Sequence, residues 1–275
     1  MFKKALNHMT TPDMRWDDFL KLASELGCVG VEFRNDLQGP LFEGDAPEKV
    51  ALLAAKYNLE ILALAEVKMF NDWSDKKAVE ANQLMRFAKV CGAKAVSLIA
   101  RNDGKRMGEA ERIEDLQTAL SELLPMLKDY DLLGMVEPLG FELCNIRNKI
   151  DTVNAIDKLG AHDTFKIVHD TFHHHLAGGG ELYPKHTGII HISGVVDPSL
   201  SVERMGDEHR ILVDADDRLG NVVQLEIMMA AGFDGPVSFE AFSPQVHEMS
   251  DPLSEIQKSF EFIQRNMKRS QLLSA

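Results

Sequence analysis

GMVEPL, at residues 134–139, is a short apolar run that leads directly into an acidic side chain, Glu137. Three further runs have the same form: KIVHDTF (166–172) with Asp170, GIIHIS (188–193) with His191, and VSFEAF (237–242) with Glu240. A metal-ligand side chain repeated at successive strand ends predicts convergence on one point. Three carboxylates and one imidazole favour one divalent cation, such as Mn²⁺, Mg²⁺, Co²⁺ or Zn²⁺, over a thiolate-rich site.

Each of these side chains also has an ordinary structural explanation when it is considered alone. Glu137 and Glu240 could form salt bridges, and His191 could be a satisfied core residue. In KIVHDTF either His169 or Asp170 could point inward, because successive residues of a strand face opposite sides. Independent explanations would rarely coincide at four strand ends, so their joint occurrence predicts a shared metal site.

Strand-like and helix-like segments alternate along the chain. We predict eight strands: Lys4–Asn7, Val29–Arg34, Ile61–Glu66, Ala95–Ile99, Gly134–Leu139, Phe165–Asp170, Gly188–Ser193 and Pro236–Phe242. We predict helices at Trp16–Leu26, Pro47–Tyr57, Asp75–Cys91, Glu109–Asp129, Lys149–Leu159, Val222–Ala231 and Asp251–Lys268. The connection after the sixth strand leaves little room for a full helix.

Eight β/α units without a linker predict one α/β domain, a single (β/α)₈ TIM barrel over residues 1–275. The alternative is an open doubly wound sheet, which needs a glycine-rich turn after an early strand. The first strand is instead followed by HMTTPDM at residues 8–14. A barrel also places the carboxyl ends of all strands on one face, where the four candidate ligands would meet.

Composition limits the classes of partner. The formal net charge is −13 and the pI is near 5.2, so the overall field repels phosphate backbones and anionic membranes. Three separated cysteines indicate reduced thiols. The chain shows neither a signal peptide nor a long apolar span. We therefore expect a cytoplasmic protein that binds a neutral or cationic small molecule, with no nucleic-acid or membrane partner.

Arg34 and Trp73, near the ends of the second and third strands, are further candidates for substrate contact. Glu32 and Arg34 alternate with apolar residues in VGVEFR. One is expected to face the barrel and the other outward, or Arg34 pairs with a carboxylate at the mouth; a structural ion pair is the alternative for both. Trp73 follows the third strand, where it could cap a substrate and exclude water or simply pack against a helix.

The later connections carry an arginine and a histidine run. Arg210 lies in a charged loop after the seventh strand, where a planar cation could hold a substrate oxygen, although solvation is the ordinary explanation. In HHH, at residues 173–175, His174 and His175 are expected to be loop residues beside one useful histidine.

The chain resembles the xylose-isomerase-like TIM barrels over nearly its whole length. The resemblance depends on EPLGFE at Glu137, HDTFH at Asp170 and His173, HIS at His191, and SFEAFSP at Glu240. It implies that Glu137, Asp170, His191 and Glu240 bind one divalent metal and that His173 contacts substrate. Asp170 is thereby preferred to His169 as a ligand.

Within that family, VEFRNDL, LALAEVKMFND and FEAFSPQ are most similar to inosose isomerases. The implied reaction moves a ketone between adjacent carbons of a polyol ring, with Glu137 and Glu240 as the hypothesised acid/base pair. Arg210 matches an arginine of such enzymes, but the short Pro-Gly-x-Gly turn of the family is replaced here by the longer, acidic LVDADDRLGN. The substrate is therefore left open.

Four alternatives share parts of this pattern. A ketose 3-epimerase would use the same residues and differ in the carbon that regains the proton. An inosose dehydratase would release water. An apurinic endonuclease would need further histidine ligands and a basic surface, which the net charge of −13 disfavours. A non-catalytic sugar-binding barrel would not need three carboxylates. A homo-oligomer is possible for such barrels.

Overall fold

Eight parallel strands form a closed barrel in the computed structural model, which describes residues 2–105 and 107–273. Each strand pairs with the next, and the eighth pairs with the first. The strands are β1 (Lys3–Asn7), β2 (Gly30–Arg34), β3 (Glu60–Lys68), β4 (Ala95–Ile99), β5 (Leu133–Glu137), β6 (Phe165–Asp170), β7 (Thr187–Ile192) and β8 (Pro236–Phe239). The predicted TIM barrel is confirmed; Met1 and residues 274 and 275 of the predicted domain lie outside the described residues.

Helices connect the strands and cover the barrel. They are α1 (Trp16–Glu25), α2 (Pro47–Lys56), α3 (Asp75–Cys91), α4 (Glu109–Tyr130), α5 (Lys149–Leu159), α6 (Thr171–Leu176), α7 (Asn221–Ala230), α8 (Pro244–His247) and α9 (Pro252–Leu273). The short α6 agrees with the expected lack of room after the sixth strand. Within the described ranges, no helix combines the length and apolar character needed to cross a membrane.

Four strands, β3, β5, β7 and β8, end at different residues from those predicted, although β7 differs by only one residue. β5 stops at Glu137 because Pro138 has no backbone N–H to continue the ladder. β8 stops at Phe239, so Glu240 lies just beyond the last paired residue. β3 is longer than predicted because Lys68 still pairs with β4. The candidate site residues at these ends are therefore either the last residue of a strand, as Glu137 is, or the first residue after it, as Glu240 is.

The apolar core has two layers. One lies between the strands and the helices, and the other fills the barrel interior with Ala5, Leu62, Ala63, Ala95, Met135, Val168 and Ile189. Residues two apart on a strand share a face. Glu137, Asp170 and His191 each lie two positions after one of these interior residues, so all three must point into the barrel mouth.

Candidate metal centre and active site

The carboxyl ends of β5 to β8 bring the four predicted ligands together. Glu137 and Asp170 end β5 and β6, His191 lies near the end of β7, and Glu240 follows β8. One ligand atom from each lies within 4.8 Å of the other three, and all four side chains are buried. The arrangement has the donor set of a single divalent-cation site.

The orientation of His191 fits a metal ligand. Its Nε2 donates to Oε2 of Glu32 at 3.0 Å, which leaves the lone pair of its neutral ring on Nδ1. Nδ1 lies 3.2 Å from Oε2 of Glu240 and 3.4 Å from Oε1 of Glu137, yet it is buried without a hydrogen-bond partner. Nδ1 is favourably placed beside two carboxylates only when it carries a proton or binds a cation that lies between them. A carboxylate behind a histidine is also the usual support for a metal-bound imidazole.

The buried side chains around this point carry more negative than positive charge, which a divalent cation would balance. Among the described residues, the fully buried carboxylates at this point are those of Glu32, Glu137, Asp170 and Glu240, and the buried guanidinium groups beside them are those of Arg34 and Arg210; Glu66, at the mouth, is not counted. The deficit is two positive charges when His191 is neutral. Uncompensated buried charge is costly, so a divalent ion bound here would neutralise the group.

Arg210 and Arg34 hold the carboxylates in place. Nη2 of Arg210 lies 2.6 Å from Oδ2 of Asp170 and 3.1 Å from Oε2 of Glu240. Nη1 of Arg34 donates to Oε1 of Glu240 at 2.6 Å. The other oxygen of Asp170 accepts the backbone N–H groups of Phe172 and His173 at the start of α6. Both guanidinium groups therefore bind carboxylates of the site and do not point into solvent.

The two glutamates of the predicted acid/base pair differ in their electrostatic surroundings. Burial and the nearby Glu240 carboxylate raise the pKa of Glu137 to about 7. Burial has the same effect on Glu240, but His191, Arg210 and Arg34 outweigh it and lower the pKa of Glu240. Burial would lower the pKa of His191, but the surrounding carboxylates of Glu32, Glu240 and Glu137 raise it well above its usual value. Without a metal, a proton therefore binds to His191 or Glu137 more readily than to Glu240.

A cavity of about 240 Å³ opens above this cluster. Its wall includes Glu137, Glu240, Arg34, Arg210 and His173, so these predicted site residues share one space. Burial lowers the pKa of His173, which therefore presents a neutral imidazole to the cavity at neutral pH. Such a ring can donate to or accept from a substrate oxygen without adding charge.

Trp73 is placed elsewhere. It packs, partly buried, against the main hydrophobic core and is not among the residues that line this cavity. The aromatic side chains that do line it are Phe141 and Phe242. Phe242 also stacks against the guanidinium of Arg210 at 4.5 Å. The phenylalanines beside this cavity therefore come from the connections after β5 and β8, and not from the connection after β3.

Two expectations about orientation were wrong. Glu32 and Arg34 both point inward, because residues two apart on a strand share a face; Arg34 makes the predicted contact with a carboxylate at the mouth. His174 and His175 belong to α6 and not to a loop, and Nδ1 of His174 bonds the buried Nζ of Lys149 at 2.9 Å. Only His173 of the three lines the cavity.

The structure places Asp170, and not His169, at the barrel mouth, as preferred for the candidate ligand. Nε2 of His169 lies 3.0 Å from Oε1 of Gln224 on α7, so this ring faces the surrounding helices. Val168 fills the barrel interior and fixes the alternation. The strand register alone, once known, gives the same answer as the motif.

Asn7 and Glu66 join the site although the sequence does not single them out, and the sequence leaves Glu32 open between the inward and the outward direction. Asn7, at the end of β1, donates to Oε1 of Glu240 at 3.2 Å. Glu32 orients His191, and Glu66, at the mouth, lies 3.5 Å from Arg34. All three lie within strands and outside the four motifs that carried the prediction of the metal site. Closure of the barrel places β1 beside β8 and brings the ends of β2 and β3 to the same mouth.

Replacing Glu32 by Gln should weaken metal binding about 10–100-fold, the usual effect of removing a carboxylate behind a metal-bound histidine. The amide can donate as well as accept, so it no longer fixes Nδ1 of His191 as the free lone pair. Affinity can be measured by calorimetric titration of chelator-treated protein with Zn²⁺ or Mn²⁺. Glu66→Gln, a buried carboxylate that does not contact the four ligands, is the matched control. Equal affinities in the two variants would contradict this role of Glu32.

Glu66 should make the metal-free protein less stable as pH rises. Burial raises its pKa from 4.5 to about 7, although Arg34 opposes this. The folded state then binds more protons than the unfolded state between these values, so stability is lost as pH rises through them. Glu66→Gln removes this loss, and its unfolding free energy relative to the wild type should increase by up to about 3 kcal/mol between pH 4.5 and 8.

Urea unfolding at both pH values in the presence of a chelator measures this difference. Glu60→Gln, at the exposed start of the same strand, is the control. A Glu66→Gln difference that stays constant with pH would show that folding does not raise the pKa of this carboxyl group.

Fold and site together define a class of protein: a closed (β/α)₈ barrel with a candidate metal centre at the carboxyl ends of its strands. The chain belongs to the xylose isomerase-like TIM barrel family, whose family model matches residues 20–266. No curated protein matches the sequence.

Solved structures of similar fold include three with informative names. A xylose isomerase domain containing protein from Salmonella typhimurium LT2 is 29% identical, with a TM-score of 0.86 over 96% of this chain and 97% of that one. An IolI protein with a binding zinc atom is 20% identical, with a TM-score of 0.86 over 95% and 98%. D-Psicose 3-epimerase from Clostridium cellulolyticum H10 is 13% identical, with a TM-score of 0.73 over 97% and 99%. The last two likenesses concern the fold.

Proposed function

We propose that this protein is a metal-dependent isomerase that moves a ketone between adjacent carbons of a polyol or inosose. The observation that carries the proposal is the convergence of Glu137, Asp170, His191 and Glu240, two of which, Glu137 and Glu240, also line a polar cavity. The family includes sugar isomerases by name, and the zinc atom of the IolI structure is in keeping with a metal at such a position.

The residues present fit one divalent ion. The unpartnered Nδ1 of His191 and the two uncompensated negative charges are the structural reasons. Glu137, Asp170, His191 and Glu240 would hold the ion, with Mn²⁺, Mg²⁺, Co²⁺ and Zn²⁺ all compatible with such a donor set. When bound, it would supply Lewis-acid stabilisation of the negative charge that develops on the substrate oxygens.

The proposed proton transfer uses two glutamates from different sides of the mouth. The reaction removes a proton from the hydroxyl-bearing carbon beside the ketone, passes through an enediolate, returns a proton to the former carbonyl carbon, and moves the hydroxyl proton to the former carbonyl oxygen. Within the described residues, Glu137 forms no ion pair with a guanidinium group, whereas Glu240 is held by Arg34, Arg210 and Asn7. Environments that separate the pKa values of two carboxyl groups in this way suit one base and one acid.

His173 and the arginines position the substrate in this proposal. The His173 ring packs edge-on against Phe141 at 5.1 Å, and its backbone N–H is bonded to Asp170, so its orientation is fixed relative to the ligands. It would orient or polarise a substrate oxygen. The acidic wall, which includes Asp36, Glu66 and Asp207, provides acceptors for the hydroxyl groups of a polyol and repels anionic compounds.

An NMR assay in D₂O tests the proposal. Protein loaded separately with each metal is incubated with inososes and a panel of ketohexoses, and a chelator-treated sample is the control. Deuterium incorporation beside the ketone, a shifted carbonyl and a requirement for metal are expected. Inversion at a single carbon would instead identify a ketose 3-epimerase, and loss of water a dehydratase. Unchanged substrates in every metal-loaded sample would contradict the enzyme.

A further inference from the structure

A second group of metal-ligand side chains lies at the opposite end of the barrel. Asp157 is in the last turn of α5, His162 lies in the connection from α5 to β6, and His186 directly precedes β7. These positions flank the amino-terminal ends of β6 and β7, whereas the candidate active site lies at the carboxyl ends. The group therefore has no part in the chemistry proposed above, and the inference does not rest on it.

The two imidazoles converge on one carboxylate oxygen. Nε2 of His162 lies 3.2 Å from Oδ1 of Asp157, and Nε2 of His186 lies 3.5 Å from the same atom. Two ligands of a tetrahedral Zn²⁺ are about 3.3 Å apart, because each metal–ligand bond is about 2.0–2.1 Å long. Both histidine–carboxylate distances are therefore close to the spacing of two ligands around one small cation, and the three ligand atoms all lie within 4.8 Å of one another.

Hydrogen-bonded turns fix both histidines in this arrangement. Gly160, with φ of +60°, ends α5 in the left-handed conformation, and the N–H groups of Gly160 and Ala161 bond the carbonyls of Asp157 and Ile156. This reversal returns His162 to the last turn of the helix. The N–H of His186 bonds the carbonyl of Tyr183, and the Ile167 N–H of β6 bonds the His186 carbonyl.

The cluster is accessible to ions in solution. The side chains of His162, Asp157 and His186 are 46%, 50% and 26% exposed. Two imidazole nitrogens and one carboxylate oxygen are ligands typical of Zn²⁺ sites that have three protein ligands and one position left for water. Such a donor set also accepts other first-row transition metals, whose affinities follow their usual order.

We propose that Asp157, His162 and His186 form a second metal site, for Zn²⁺ or a related transition-metal ion, at the amino-terminal end of the barrel. Bound metal would link the carboxyl end of α5 to the amino-terminal ends of β6 and β7. Its role would be to stabilise these connections, because the site is remote from the cavity and its three ligands come from three different segments of the chain.

Zinc stoichiometry tests the proposal. Chelator-treated full-length protein is titrated with ZnCl₂ in a calorimeter, and bound zinc is counted by mass spectrometry after gel filtration. We expect one more equivalent of zinc in the wild type than in the double variant H162A/H186A. His175→Ala, which removes an imidazole outside both clusters, should bind as much zinc as the wild type. The three cysteines are buried and should not contribute.

Thermal unfolding provides a second measurement. A saturating ligand that binds only the folded protein should raise Tm by roughly 5 °C, and this increment should be lost in H162A/H186A but kept in H175A. His162 is exposed and His186 is partly exposed, and neither belongs to the buried core, so the double variant should fold. Identical zinc stoichiometry in the wild type and in H162A/H186A would overturn the proposal, as would an equal loss in H175A.

Discussion

Glu137→Gln and Glu240→Gln should each lower the rate of exchange of the substrate C–H with solvent deuterium by about 10²–10⁴-fold, the usual contribution of a general acid or base. Glutamine keeps one oxygen for the metal but cannot carry the proton. The Glu137 variant should be the more informative of the two. Its carboxyl group lacks a guanidinium partner, whereas Glu240 also anchors Arg34 and Arg210.

Metal content decides how a loss of activity is interpreted. Each variant is therefore compared with the wild type at equal bound metal, measured on the same samples. Glu60→Gln, at the exposed start of β3, serves as the control and should exchange at the wild-type rate. Near-normal exchange in both the Glu137 and Glu240 variants would rule out the acid/base pair. Loss of activity that disappears when metal is restored to the wild-type level would leave these residues as ligands only.

Replacing Arg210 by Met should destabilise the metal-free protein by about 3–5 kcal/mol, because it leaves buried carboxylates without their partner. The guanidinium is 1% exposed and is shared by Asp170 and Glu240. A bound divalent ion would supply part of the missing positive charge. The destabilisation should therefore be smaller when Zn²⁺ or Mn²⁺ is present, and the metal should protect this variant more than it protects the wild type.

Urea unfolding with chelator and with metal measures both effects. Arg204→Met, an exposed arginine in the same connection between β7 and α7, is the matched control and should change stability by no more than about 0.5 kcal/mol. A similar small change in Arg210→Met would mean that its ion pairs contribute little. Equal destabilisation with and without metal would argue against a cation bound beside Asp170 and Glu240.

Periodicity predicted most elements of the barrel to within a few residues. The bounds of β4, β6, α3 and α5 agree fully with the structure. The errors lie where pairing decides the end of a strand, as at β3, β5 and β8. Strand ends depend on hydrogen bonds to neighbours that are distant in sequence, so local patterns cannot fix them.

The sequence alone was enough to predict the alternation of strands and helices and the four candidate ligands at successive strand ends. Apolar periodicity and the chemistry of each side chain are local properties, and four similar motifs reinforced one another. The tertiary structure decided which other groups join them: Asn7 and Glu32 from the first two strands, and the inward direction of Arg34. These contacts exist only because β1 closes against β8, which brings together residues more than 150 positions apart. The tertiary structure also brought His186 to Asp157 and His162, because distance along the chain does not reveal which turns meet below the barrel.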